Sequence, residues 1–236
     1  MKLAGLGLQK LWVEVIYTLY RSFENSLKAS GARAMEVFKQ IPLYRFLMLC
    51  NECSLDKTIL DCGAGGDTPP LSLFSSNGYE TIGIDADIKQ IERANKFAEQ
   101  KGQSLNIQLG DMRSLELEND SVSYVYSYNS IFHMKKAEVE QSIQEMKRVL
   151  RPNGLLFVNF LTLKDFRVGD GVDLGNDQYE QIEDDLPVIH SYYDYNEADY
   201  MFEDMEFIYK EDRVLERIFE GERIRQGFID YILMKR

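Results

Sequence analysis

Three aspartates in this chain each close a short apolar run: Asp61 in ILDCGAGGDTPPL, Asp85 in TIGIDAD and Asp111 in QLGDMRSL. Carboxylates at such positions accept hydrogen bonds and attract cations, so together they outline an acidic binding edge. Beside the first, Gly63, Gly65 and Gly66 make a loop whose backbone can approach a ligand closely. A single aspartate at a strand end is more simply a cap. Three in register at successive strands describe a site on the carboxyl edge of an open sheet.

The loop departs from two familiar phosphate-binding patterns. Gly-x-Gly-x-x-Gly needs a glycine where Thr68 stands, and a P-loop needs a Gly-Lys-Ser/Thr ending that is missing. Asp67 would also repel a pyrophosphate. A ligand carrying ammonium and sulfonium charges suits the acidic mouth, and S-adenosylmethionine is such a ligand. In that reading Asp85 accepts from the ribose hydroxyls, Asp111 accepts from the adenine amino group, and the Met112 thioether packs on the ring. Thr68 is expected to cap the next helix, with Pro69 in its first turn, and Asp67 is read as a cap in preference to a ligand contact.

Few side chains could move a proton. The chain has two histidines, His133 in YSYNSIFHM and His190 in VIHSYYDYNEADYMF. Each is a candidate general base and each is more simply a hydrogen-bonded structural or surface histidine. Tyr128 is a third candidate, and Tyr192, Tyr193 and Tyr195 either line an acceptor site or pack the segment around them. Cys50 and Cys53 lack the further ligands of a zinc site and read as two small buried residues, so no metal is expected. Glu183-Asp184-Asp185 lacks calcium-loop spacing and reads as a solvated turn.

The elements that must position these residues follow from periodicity. Short apolar runs at 58–62, 80–84, 106–109, 122–128 and 155–161 alternate with helical stretches at 69–77, 88–101 and 137–150, the rhythm of a parallel sheet with crossover helices. Gly78 ends the first of those helices, and Arg151-Pro152-Asn153-Gly154 is a turn into the fifth strand. The first fifty residues read as helices, with Leu11, Val15, Tyr17, Leu19 and Phe23 on one face and Pro42 starting or kinking the segment 34–49. Segment 164–206 is acidic and tyrosine-rich, loop-like early, with a helix near 196–202. Two long strands, 207–219 and 222–235, turn near Gly221 and close the chain.

With 236 residues and 44% hydrophobic composition, the chain can bury a real core. A net charge of −12 argues against nucleic acid and anionic membranes and favours a small-molecule partner. No apolar stretch reaches the roughly 18 residues of a membrane span. Residues 11–20, interrupted by Glu14, read as an amphipathic helix and not a secretory signal. Three cysteines suit a reducing compartment, so a cytoplasmic location is expected.

Taken together, ILDCGAGG, GIDAD, LGDMRSL, YSYNSIFHM and MKRVLRPNGLLFVNF resemble the motifs of the class I S-adenosylmethionine-dependent methyltransferases. The resemblance is close over 57–160 and loose over the last two strands, and it departs from the family at Asp67, where many members carry a third glycine. It implies an α/β, Rossmann-like, seven-stranded and mostly parallel sheet with helices on both faces and the last strand antiparallel. It further implies Asp61, Gly63 and Gly65 around the methionine part, Asp85 and Ala86 at the ribose, Asp111 and Met112 at the adenine, and Tyr128 near the sulfonium with Asn129 beside it. The expected plan is one domain: a helical cap (1–53), a cofactor core (54–163), an insert covering the acceptor (164–206) and a terminal hairpin (207–236). The expected activity is methyl transfer to a small molecule, yielding S-adenosylhomocysteine. The alternatives are a nicotinamide-dependent oxidoreductase and a non-catalytic S-adenosylmethionine-binding protein.

Overall fold

The computed structural model describes residues 41–183, 185–219 and 221–236. The helices expected before residue 41 lie outside them. The backbone divides into two units, Met1–Ile41 and Pro42–Arg236, and the features below belong to the second.

Helix α1 (Ile41–Glu52) carries Pro42 in its first turn, where a missing N–H costs nothing. Strand β1 (Thr58–Cys62) leads through the glycine loop into the short helix α2 (Leu71–Ser76). Strand β2 (Glu80–Asp85) follows, then α3 (Ile88–Lys101). Asp87 caps α3 by accepting from Lys89 N at 2.8 Å, and Gly102 ends it at φ 65°. After β3 (Ile107–Leu109) and β4 (Val122–Ser127) comes α4 (Lys136–Val149), where Glu138 reaches back to accept from Lys135 N at 3.0 Å. The expected Arg-Pro-Asn-Gly turn lies inside the bounds of β5 (Leu150–Thr162), with Asn153 at φ 63°.

The five strands β3-β2-β1-β4-β5 are parallel, with the order reversing between β1 and β4. The chain closes with β9 (Met205–Phe219) and β10 (Glu222–Lys235), an antiparallel hairpin whose β10 runs antiparallel to β5. That is the seven-stranded core expected from the sequence.

The insert departs from expectation. Instead of an acidic loop it forms β6 (Val172–Gly175), β7 (Gln178–Glu183) and β8 (Leu186–Tyr193), which raise the sheet to ten strands. Asn176 and Asp177 both have positive φ and form the two-residue link of the β6–β7 hairpin. The helix expected near 196–202 is reduced to one 3₁₀ turn, Asp199–Phe202. Strand β8 pairs in parallel with Leu161 and Thr162, the last residues of β5. Through that pairing the insert returns to the carboxyl edge of the sheet.

Alternation along β4 sorts the core. Tyr124 and Tyr126 pack with Leu43, Phe46 and Leu47 of α1 and with Phe74 and Ile91 of α2 and α3. Val125 faces the opposite layer, with Val139, Ile143 and Met146 of α4 and with Met201 and Phe202. With both faces covered, β4 is buried throughout and its loops can hold a site on a rigid edge.

Candidate active site

The path of the glycine loop is set by what its N–H groups bind. Gly63 N and Ala64 N both donate to Ile84 O (2.8 and 3.1 Å), Gly65 N to Asp85 Oδ2 (2.8 Å) and Gly66 N to Gln90 O (3.0 Å). Four successive donors thus point into the protein. Gly63 sits at φ 97°, and a Cβ there would lie 2.0 Å from Ser130 Oγ and 3.7 Å from Met112 Cε. A Cβ on Gly65 would meet Gln90 Cβ at 2.4 Å and Asp85 Oδ2 at 2.6 Å. Both glycines are therefore required by sterics and not only by flexibility.

The expected cap of the next helix is not there. Helix α2 begins at Leu71 with Pro70 in the N-cap position and no side-chain cap bond, because Pro69 and Pro70 occupy the positions where a polar cap would stand. Asp67 is 80% exposed, 4.0 Å from Arg93 Nη1. It is a loosely paired surface carboxylate.

Asp61 is 1% exposed and accepts a 2.7 Å hydrogen bond from the Tyr126 hydroxyl. Burial pushes its pKa from 3.8 to about 8; the Tyr126 bond opposes that rise and the charge of Asp85 adds to it. Asp85, at the end of β2, accepts from Gly65 N through one oxygen and from Asp87 N (2.9 Å) through the other, so it ties the glycine loop to the start of α3. Ala86 is exposed beside it. Asp111 is engaged by the Arg113 guanidinium, at 2.9 Å from Nε and 2.7 Å from Nη2, and that bond holds its carboxyl below the usual range. Arg113 also pairs with Glu138. Met112 is half-buried and reaches back toward Gly63.

From the other side, Tyr128 follows β4 with its ring 6.1 Å from Phe157, and burial raises its hydroxyl pKa. Asn129, at φ 54°, is fixed by Asn159, whose Nδ2 donates to Asn129 Oδ1 (2.6 Å) and whose Oδ1 accepts from Asn129 N (2.8 Å). Asp61, Asp85, Met112 and the Ser130 turn thus converge on one loop. Asp111 comes to the same edge already paired.

The two histidines, 57 positions apart in the chain, are neighbours in space, with ring centroids 4.7 Å apart. Glu183 lies 3.2 Å from His190 Nε2 and also pairs with Arg167, so the expectation of a solvated acidic turn fails at this residue. In β7, Tyr179, Gln181 and Glu183 share one face of the strand, which turns the carboxylate inward while Ile182 faces out. Tyr192 and Tyr193 are buried, whereas Tyr195 is exposed under Lys210. Sequence reasoning missed Ser130, Arg113, Arg167 and Glu183. The period-two pattern of QYEQIE was the signal for Glu183; nothing local marks Ser130, whose partner is 67 residues away.

Known proteins share this architecture. The family described as Methyltransferase domain matches residues 60–158, the stretch from β1 to β5. An uncharacterized methyltransferase of Bacillus subtilis, YcgJ, is 33% identical over 130 residues, covering 55% of this chain and 50% of that protein. The chain spans half or less of the curated relatives it matches. Among solved structures, a SAM-dependent methyltransferase of Methanosarcina mazei is 22% identical with a TM-score of 0.60, over 80% of this chain and 96% of that one. An S-adenosylmethionine-dependent methyltransferase of Clostridium acetobutylicum is 11% identical with a TM-score of 0.62, over 92% and 99%. Residues 60–158 match the methyltransferase domain family, and the chain shares its α/β, Rossmann-like fold with these two S-adenosylmethionine-dependent methyltransferases.

Proposed function

We propose that the protein transfers the methyl group of S-adenosylmethionine to a small-molecule acceptor. The observation that carries this reading is the chemistry of the glycine loop. Its four N–H groups are consumed by Ile84, Asp85 and Gln90, and two prolines remove donors from the start of α2. A pyrophosphate needs such donors free, so a dinucleotide finds no cradle and the oxidoreductase alternative draws no support. A ligand bearing ammonium and sulfonium charges needs carboxylates, and the loop is flanked by them.

In this reading Asp61, Gly63 and Gly65 surround the methionine part, Asp85 and Ala86 the ribose, Asp111 and Met112 the adenine, and Tyr128 stands near the sulfonium. Each Asp85 oxygen holds one backbone N–H and keeps acceptor capacity for a hydroxyl. Arg113 bonds both oxygens of Asp111 and so fixes the orientation in which this carboxylate would meet the adenine amino group. The cofactor supplies an activated methyl group; the chain aligns the acceptor and excludes water. A charge of −12 supports a small acceptor over nucleic acid. No helix among the described residues is long and apolar enough to cross a membrane. The free thiols of Cys50, Cys53 and Cys62 support a cytoplasmic location.

Transfer of label from methyl-labelled S-adenosylmethionine to a panel of phenols, alcohols, amines and thiols tests this. Transfer to at least one acceptor is expected. Tight cofactor binding with no transfer to any acceptor would favour the non-catalytic binding protein.

A further inference from the structure

Ser191 fastens the insert to the segment after β4. Ser191 N donates to Phe132 O (3.0 Å) and Ser191 Oγ to Met134 O (2.6 Å). This clamp holds His190 against His133, and His133 N in turn donates to Ser130 O (3.0 Å), the residue that covers Gly63. A continuous set of contacts therefore runs from the glycine loop to His190. Glu183 and Arg167 close the far side.

Among the described residues four buried side-chain polar atoms lack a hydrogen-bond partner, and two of them are Nδ1 of His133 and Nδ1 of His190. A histidine kept for structure satisfies both nitrogens, because an unpaired polar atom out of water costs about 1–3 kcal/mol. His190 is 2% exposed and has one nitrogen placed: Nε2 stands 3.2 Å from Glu183 Oε1, a carboxylate oxygen that can only accept. The Val188 carbonyl also acts on this ring but makes no hydrogen bond to Nδ1, so in the neutral ring the proton lies on Nε2, facing Glu183, and the buried lone pair on Nδ1. Burial disfavours the charged form of both rings. Burial, then the neighbouring His190, pushes the His133 pKa down to about 4; burial also lowers that of His190, with Glu183 opposing.

His133, Glu183 and His190 also offer ligand atoms within 4.8 Å of one another. A divalent cation there would face the Arg167 guanidinium, which already holds the same carboxylate oxygen. The charge balance favours a proton over a metal.

We propose that His190, held in one tautomer by Glu183, is the general base of methyl transfer, and that the acceptor is a hydroxyl group that arrives protonated. The inference rests on the methyltransferase reading above. An oxygen lone pair of the acceptor forms the new bond to the methyl carbon, and the pair of the broken carbon–sulfur bond stays on sulfur. The hydroxyl proton passes to His190 Nδ1. The resulting imidazolium keeps its Nε2–H on Glu183, and the proton leaves to solvent with the product. A protonated amine would bring another cation beside Arg167 and the sulfonium, whereas a hydroxyl brings none. Glu183 is a positioning residue here, because it acts through the ring.

Two measurements on the full chain test this. Nitrogen NMR of the histidine rings at pH 7 is expected to show His190 as the Nε2–H tautomer, and Glu183→Gln is expected to shift that population. An Nδ1–H tautomer, or an imidazolium, overturns the proposal whether or not an acceptor turns over. The second compares para-chlorophenol, protonated at neutral pH, with pentafluorothiophenol, which is ionised. His190→Ala is expected to slow transfer to the phenol by roughly 100-fold or more, the usual range for a lost general base. Transfer to the thiolate should fall less than about fivefold, with calorimetric affinity for S-adenosylmethionine unchanged. Equal losses on both acceptors, transfer to thiolates alone, or micromolar zinc binding that shifts both histidine rings overturns it. Failure to bind S-adenosylmethionine would instead strike the methyltransferase reading, leaving the tautomer result to judge the dyad.

Discussion

Replacing Asp61 with asparagine should make the folded protein more stable while weakening its cofactor site. Asp61 is fully enclosed, and its carboxyl holds its proton up to about pH 8 in the native state, against 3.8 for the ordinary group. Because the folded pKa is the higher one, its stability contribution is complete below the unfolded value and is lost as pH rises toward the folded value. Between pH 5 and pH 8 the unfolded chain is ionised at this position and the native one is not. At ~1.4 kcal/mol per pH unit, the wild type loses roughly 4 kcal/mol over that interval relative to a side chain that does not titrate. Asparagine keeps an oxygen to accept the Tyr126 hydroxyl, now 2.7 Å from Asp61. The assay is urea unfolding of both proteins at pH 5 and pH 8. The stability difference should grow by several kcal/mol in favour of the variant. A difference that stays constant within about 1 kcal/mol would refute the assignment of a buried, protonated carboxyl. The same substitution should weaken S-adenosylmethionine binding, since it removes the carboxylate that the ligand's positive charges would ionise.

Cofactor affinity itself should rise with pH, by up to tenfold per unit between pH 6 and pH 8, as binding displaces the Asp61 proton; a pH-independent dissociation constant would contradict this. Gly63→Ala forces a side chain into a φ of 97° and onto Ser130. It should cost roughly 2–4 kcal/mol in chemical denaturation and abolish tight cofactor binding. Asp85→Ala should raise the S-adenosylmethionine dissociation constant at least about tenfold in calorimetry, with a folded circular dichroism spectrum; unchanged affinity would mean the ribose is elsewhere. In the hairpin, Arg213 holds the buried Asp230 through two hydrogen bonds, 2.7 and 3.1 Å. Arg213→Ala should therefore cost about 3–5 kcal/mol in chemical denaturation, whereas the exposed Arg223→Ala should leave the unfolding midpoint nearly unchanged.

The parallel core was legible because its signals are local. Apolar runs ending in Asp61 and Asp85, helix α3 and the terminal hairpin all stand within a residue or two of expectation. The insert was misread because its strands are short and β6 is exposed along its whole length, so no apolar alternation marks it. Its Gly175-Asn176-Asp177 turn was a hairpin signal in plain view. The α2 cap failed because two prolines moved the helix start to Leu71. At the site, the sequence supplied the individual carboxylates and histidines, but their pairing is tertiary. Arg113 on Asp111, Ser130 on Gly63 and Glu183 on His190 each depend on which loops the sheet order brings together.

The glycine loop turns its N–H groups inward and so cannot cradle a pyrophosphate. Isothermal titration calorimetry of the full chain with S-adenosylmethionine, S-adenosylhomocysteine and NADH tests this directly. Saturable binding of the first two with no heat from NADH is the predicted result. Tight NADH binding with no response to either sulfur ligand would contradict it.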